Sequence, residues 1–309
     1  MTRELRRAAA TASERGFVII AVLWILAALA ALATIFSVYL SNSAQALAVN
    51  DSGLKAEALV SASLELTTYQ LLLAGDKARP ARGSFHFRLD NADVLVSFTS
   101  EAARIDLNFA SKEMLANLFA VLGADPQAAK EYADRTIGWR TRPKPDRAND
   151  EQALYGAAGL GYSPRQSLFT HVNELSLVLG LLPVLVDRAL PFVTVFNGSS
   201  NVDVLIAPPE IIAALPGMTP SALKDFLSQR SALSRDSPAI ATALGPAQAN
   251  ATVPKNAAFR ILTTIQFDNG RRMSSEVVIA LGGEKDPYRV LSWQDDVETG
   301  RRSRQPANG

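Results

Sequence analysis

The sequence predicts an α+β protein in which a long N-terminal membrane helix leads into an antiparallel sheet, and that sheet is interrupted by a large inserted helical lobe. Three observations predict it. No charged residue occurs between Arg15 and Asp51. Apolar and polar residues alternate in residues 84–108 and again in residues 259–293, the period of half-buried strands. Between those blocks the apolar residues recur at helical spacing, so the strands are expected to meet around a helical insertion.

The chain opens on Arg3, Arg6, Arg7 and Arg15, followed by the apolar residues 17–40. At about 1.5 Å of rise per residue this run crosses a hydrocarbon core of about 30 Å. The basic residues on one side predict an N-terminus in the cytoplasm and the remainder outside it. Ala44-Gln45-Ala46 offers a signal-peptidase pattern, but the apolar run exceeds the roughly 7 to 15 residues of a cleaved signal. Asn42, Asn50, Asp51, Ser52 and Gly53 loosen the helix, which resumes over residues 54–74 with Leu59, Leu66 and Leu73 as a core-facing stripe, and Gly75 caps it.

Phe85, Phe87 and Leu89, then Val94, Val96 and Phe98, flank the turn-prone residues 90–93, which reads as a hairpin. A short strand follows at Arg104-Ile105-Asp106-Leu107-Asn108. Ser111 opens an amphipathic helix through Leu122, and Asp125-Pro126 opens another that runs to Trp139. Residues 141–165, rich in Pro, Gly, Arg and Asp, read as one long loop. Helical patterning returns at residues 171–182 and 184–190, and residues 192–196 are a short strand. Residues 200–228 read strand, helix, turn, helix. Two alternating runs joined by Asp268-Asn269-Gly270 form a closing hairpin, residues 288–293 form a last strand, and the polar residues 295–309, with Arg301, Arg302 and Arg304, form a tail.

Composition excludes several functions. The 31 basic residues balance 30 acidic ones, so a polyanion is not the expected partner. The absence of cysteine and the presence of only His86 and His171 exclude disulfides, thiolate chemistry and histidine-rich metal clusters. No nucleophile-elbow, Walker or HExxH pattern occurs, and Asp268 and Glu276 read as surface charges on strands, so an enzyme is not expected. Leu215-Pro216-Gly217-Met218 before a helix resembles half of a helix-hairpin-helix unit, with only Lys224 and Arg230 nearby to meet a phosphate. Asp146, Asn149, Asp150 and Glu151 place hard oxygen donors in the long loop, which is calcium chemistry when the donors converge and a solvated loop when they do not.

Glu14-Arg15-Gly16-Phe17, set between a charged leader and an apolar helix, resembles the processing site of type IV pilins and type II secretion pseudopilins. The resemblance implies cleavage by prepilin peptidase between Gly16 and Phe17, with N-methylation of Phe17. It departs from the family at Ala21, where a glutamate is usual. A glutamate inside an apolar helix is costly unless paired, and in this family it is held to pair with the terminal amine of a subunit ahead. Its absence implies a subunit at the tip. The competing reading is that Ala21 is one more small apolar residue of an ordinary membrane anchor.

Further along, Arg104-Ile105-Asp106-Leu107-Asn108, Val172-Asn173-Glu174-Leu175 with Gly180, Asn201-Val202-Asp203-Val204 before Ala207-Pro208-Pro209-Glu210, and Tyr288-Arg289-Val290-Leu291-Ser292-Trp293 resemble, in order, segments of the K-type minor pseudopilins of the type II (general) secretion pathway. This implies a leader (1–16), a membrane segment (17–40), the remaining helix and first strands of a pseudopilin-like head (41–108), an inserted helical lobe (109–255), closing strands (256–294) and a tail (295–309). It also implies a single-pass inner-membrane protein with a periplasmic head, partnered by I- and J-type minor pseudopilins, the pseudopilus and prepilin peptidase, and not by nucleic acid. No cofactor is required. Calcium in the lobe is part of the family pattern, with Asp146, Asp150 and Glu151 as donors, although Gly138-Trp139-Arg140-Thr141-Arg142 lacks the aspartates the family places there. The rival reading is a single-span envelope binding protein or DNA-uptake component.

Overall fold

The computed structural model describes residues 2–143, 150–233, 238–252, 258–282 and 286–295, with side chains described within these except at 2–17, 44–52, 76–77, 150 and 252. The predicted tail beyond residue 295 lies outside the described residues, apart from Asp295 itself. The chain forms two compact units, residues 1–59 and 60–309.

From Thr2 onward the first unit is helical, as part of α1 (Thr2–Leu73). Asn50 and its polar neighbours do not interrupt it. Within it, Val18–Ser43 is long and apolar enough to cross a membrane, and none of it is buried inside the protein.

The second unit begins with the end of α1; of the expected leucine stripe Leu59 is buried, but beyond it the buried face takes other residues. Val60, Ser63, Leu64, Thr67, Thr68 and Leu71 are buried, whereas Leu66 is 40% and Leu73 is 73% exposed. The face that turns inward follows the three-to-four spacing of 60, 64, 67 and 71. Its polar members disguise it in the sequence, and Thr67 satisfies its hydroxyl within the helix by donating to the Ser63 carbonyl at 2.7 Å. Gly75, at φ +66, ends the long helix as expected.

Five antiparallel strands form one sheet in the order β1 (Arg82–Leu89), β2 (Ala92–Ser100), β3 (Ala258–Phe267), β4 (Arg272–Leu281) and β5 (Tyr288–Asp295). The two halves of this sheet are far apart in sequence yet pair in strict register, with Ser100 opposite Phe259 and Ala92 opposite Phe267. Alternation places Val94, Val96, Phe98, Phe259, Ile261 and Ile265 on the buried side. The Tyr288 hydroxyl donates to Glu65 at 3.1 Å, tying the last strand to α1.

Between Ser100 and Ala258 the chain builds the lobe. Ser111 and Asp125 cap α2 (Lys112–Val121) and α3 (Pro126–Arg140) with their side chains, as the capping chemistry of these residues requires. The segment expected to be one long loop contains α4 (Asp150–Ala157), anchored by the fully buried Tyr155. Residues 171–182, expected to be helical, form only a 3-10 turn over Val172–Leu177. The predicted short strands survive as two-residue parallel pairings, Ile105–Asp106 with Val193–Thr194, and Val202–Asp203 with Ala251–Thr252, the last of which the sequence did not predict. The lobe's apolar cluster runs from Ile105 to Ala247 and includes no residue of the five-stranded sheet.

Candidate functional site

Two regions carry the residues singled out by sequence. The first is the start of α1. The backbone of Gly16 and Phe17 is helical and continuous with the apolar run, and Ala21 lies four positions past Phe17 inside it. With a methyl group at position 21, this turn of helix presents no ionisable group to a neighbour.

The second region is the junction where the chain leaves the sheet. Ser100 ends β2, and its hydroxyl accepts the Ala102 N–H at 3.2 Å, setting a tight turn over Glu101–Ala103. That turn buries the Glu101 side chain completely. Arg260 of β3 donates from Nε to Glu101 Oε1 at 2.7 Å and from Nη2 to Oε2 at 3.2 Å. Arg104 Nη1 donates to Oε1 at 3.0 Å, and the Thr194 hydroxyl donates to Oε2. Arg260 also grips Glu276 of β4, and Arg104 Nε reaches the Pro191 carbonyl at 3.1 Å. Glu276, expected as a surface charge, is therefore 22% exposed and part of this cluster.

Two carboxylates and two guanidiniums balance to zero, which makes the burial tolerable. Burial pushes the Glu101 carboxyl upward, but Arg260 and Arg104 outweigh it and hold it below the ordinary carboxylate range. Burial also weakens the charge of Arg260, and Glu101 and Glu276 more than compensate. Arg104 fares worst. Burial and then the like charge of Arg260 pull it down against the opposing pull of Glu101.

The motif that begins at Arg104 is structural from end to end. Ile105 and Leu107 are fully buried in the lobe. Asp106 accepts the N–H groups of Asn108 at 2.8 Å and Gly198 at 2.7 Å, and burial pushes its carboxyl upward. Asn108 exchanges two hydrogen bonds with the Phe169 backbone, at 3.0 and 2.7 Å. Arg140 donates to the carbonyls of Leu107 and Ala110, the latter at 2.6 Å. Glu174 gathers the Thr170 N–H and hydroxyl at 2.8 and 2.7 Å and the Trp139 indole N–H at 3.2 Å. Burial raises its carboxyl, but these donors, with Arg165, bring it below its usual value.

Of the calcium donors, Asp146 and the side chain of Asp150 lie outside the described residues. Glu151 is engaged by Arg135 at 2.9 Å. Its carboxyl lies where a Cβ on Gly138 would come within 2.5 Å, so glycine at 138 makes room for that pair. Among the described residues no three His, Cys, Asp or Glu side chains converge on one point, so the described part of the donor set does not make a site by itself. Arg230, a candidate phosphate contact, donates to the Ala207 carbonyl at 2.6 Å instead. The Glu101 junction was invisible in sequence except as the arginine that opens the 104–108 motif.

Residues 94–198 match the family model described as type II secretion system (T2SS), protein K. A chain in "The Crystal Structure of the GspK-GspI-GspJ complex from enterotoxigenic Escherichia coli Type 2 Secretion System" has a similar fold, with a TM-score of 0.60 at 15% identity over 80% of this chain and 97% of that one. No curated protein matches the sequence. The antiparallel sheet interrupted by this helical insertion is the fold that the two chains share. Over residues 94–198 the chain is similar to the protein K family of type II secretion.

Proposed function

We propose that this subunit caps the tip of the type II secretion pseudopilus and takes part in protein export across the outer membrane. The observation that carries the reading is Ala21 inside the exposed apolar helix Val18–Ser43. A subunit with no acid there has nothing to offer the terminal amine of a subunit ahead of it, and so can lead a filament. The Gly16-Phe17 step is the expected cleavage and methylation point. The helix then holds the subunit in the inner membrane, with the head in the periplasm on the positive-inside rule. Small residues Ala27, Ala28, Ala30, Ala31 and Ala33 allow close helix packing during assembly. I- and J-type minor pseudopilins are the proposed partners, in keeping with the complex whose chain shares the fold. The role is structural, with no catalytic step. Calcium binding in the lobe stays a separate proposal, tested by whether calcium raises and EDTA lowers the melting temperature.

Mass spectrometry of the membrane form tests the central claim. The expected mature protein starts at an N-methylated Phe17, and an intact leader would sink the pseudopilin reading. Placement is tested separately by the variant Ala21→Glu. Expected is a subunit that enters fibre shafts or loses its tip position, and unchanged localisation at the tip would refute the argument from Ala21.

A further inference from the structure

We infer that Glu101 is a charge lock that fixes the inserted lobe on the sheet. The lobe and the sheet do not share the lobe's apolar cluster, which contains no sheet residue. Apolar burial within each part therefore does not by itself dictate how one sits on the other. The Glu101 carboxylate lies between them. Arg260 reaches it from β3, Thr194 from the lobe, and Arg104 from the connection, where Arg104 also holds the Pro191 carbonyl of the lobe. This is also the place where the chain exits and re-enters the sheet, since Ser100 pairs with Phe259.

Charge makes the arrangement a lock rather than an ordinary set of hydrogen bonds. Arg104 is 21% and Arg260 is 18% exposed, and the two guanidiniums repel across the site that Glu101 neutralises. Taking away that one negative charge leaves two confined guanidiniums with only Glu276, held on Arg260, to balance them, and the cheapest relief of the surplus positive charge is water entry and separation of the two surfaces. Removing Arg104 as well takes away the repulsion. Among the described residues, the ring of His171 also meets Gln294 of β5 at 3.2 Å, an exposed contact, too weak to hold the lobe alone.

The chain has no cysteine, which allows two labels to be placed cleanly in the full-length protein in detergent. Spin labels at His86→Cys on β1 and Lys130→Cys on α3 report the distance between sheet and lobe. The parent should give one narrow distance distribution, Glu101→Gln one at least about twofold broader, and Glu101→Gln with Arg104→Gln a narrow one again. Thr194→Val, which removes a hydroxyl and keeps every charge, should stay narrow. Narrow Glu101→Gln, a broad double variant, or Thr194→Val as broad as Glu101→Gln would each overturn the lock. Should Glu101→Gln fail to accumulate, the double variant must still accumulate with the narrow distance, and its failure would overturn the proposal equally.

Discussion

The five-stranded sheet and the helical lobe are held together by different means. In the sheet, backbone ladders run unbroken along β2 and β3, and alternation sends Val96, Ile261 and Ile265 inward. Side chains there mostly fill space. In the lobe the strands shrink to two-residue pairs, and buried polar side chains take over the work of joining segments. Asp106, Asn108 and Arg140 each bind backbone groups far away in sequence, and Glu174 takes the indole N–H of the distant Trp139. The difference teaches that a lobe of short helices needs polar cross-links where a sheet needs only its own backbone.

If that contrast is right, the costliest changes in the two parts are of different kinds. The largest expected effect is Ile261→Ala in the sheet, about 3 kcal/mol from lost burial plus a cavity, read by denaturant unfolding. A loss below about 1 kcal/mol there would mean that the sheet is not packed as described. Asp106→Ala in the lobe is expected to cost about 2 kcal/mol, because it strands the N–H groups of Asn108 and Gly198 without an acceptor. The same substitution measured as neutral would remove the case for polar cross-linking.

The acid response sharpens the contrast further. Glu101 and Glu174 are held below the ordinary carboxylate range, Glu101 by its arginines and Glu174 by hydrogen-bond donors, both against burial. Their stabilisation is present above that range and disappears as pH falls through their depressed values. Asp106 and Glu151 run the other way. Burial raises both, so their contribution is full below the ordinary range and is lost as pH rises through the raised values. In melting curves taken across acidic pH, Glu174→Gln should flatten the acid-side loss and Asp106→Asn should steepen it. Swapped signs would contradict the assignments.

The smallest effect is expected at the sheet's edge. Arg88 pairs with Asp93 and Asp268 at 2.8 Å each, but every member is more than half exposed. Arg88→Ala should unfold at the same denaturant midpoint as the parent, since exposed pairs of this kind contribute little. A clear shift would show that the edge is sheltered by something else.

The membrane run, the hairpins at Asp90 and Asn269-Gly270, and the capped helices after Ser111 and Asp125 were legible in sequence because each is written by neighbours along the chain. The α1 core face beyond Leu59 was misjudged because Ser63, Thr67 and Thr68 break the apolar pattern, although Thr67 satisfies its hydroxyl within the helix. The helix Asp150–Ala157 was missed because its anchor is one residue, Tyr155, whose burial depends on Trp139 and Tyr162 packing around it.

By itself, then, the sequence determined the two hairpins and the capped helices after Ser111 and Asp125, that one segment is apolar enough to span a membrane, and that position 21 carries no charge. All of these follow from local spacing and side-chain chemistry. Only the tertiary structure decided that β2 pairs with β3, that Glu276 is not a free surface charge, and that Glu101 neutralises Arg104 and Arg260 in one buried cluster. The strand pairing and the Glu101–Arg260 contact join residues more than a hundred positions apart, and the energy of a buried charge is set by what surrounds it in space.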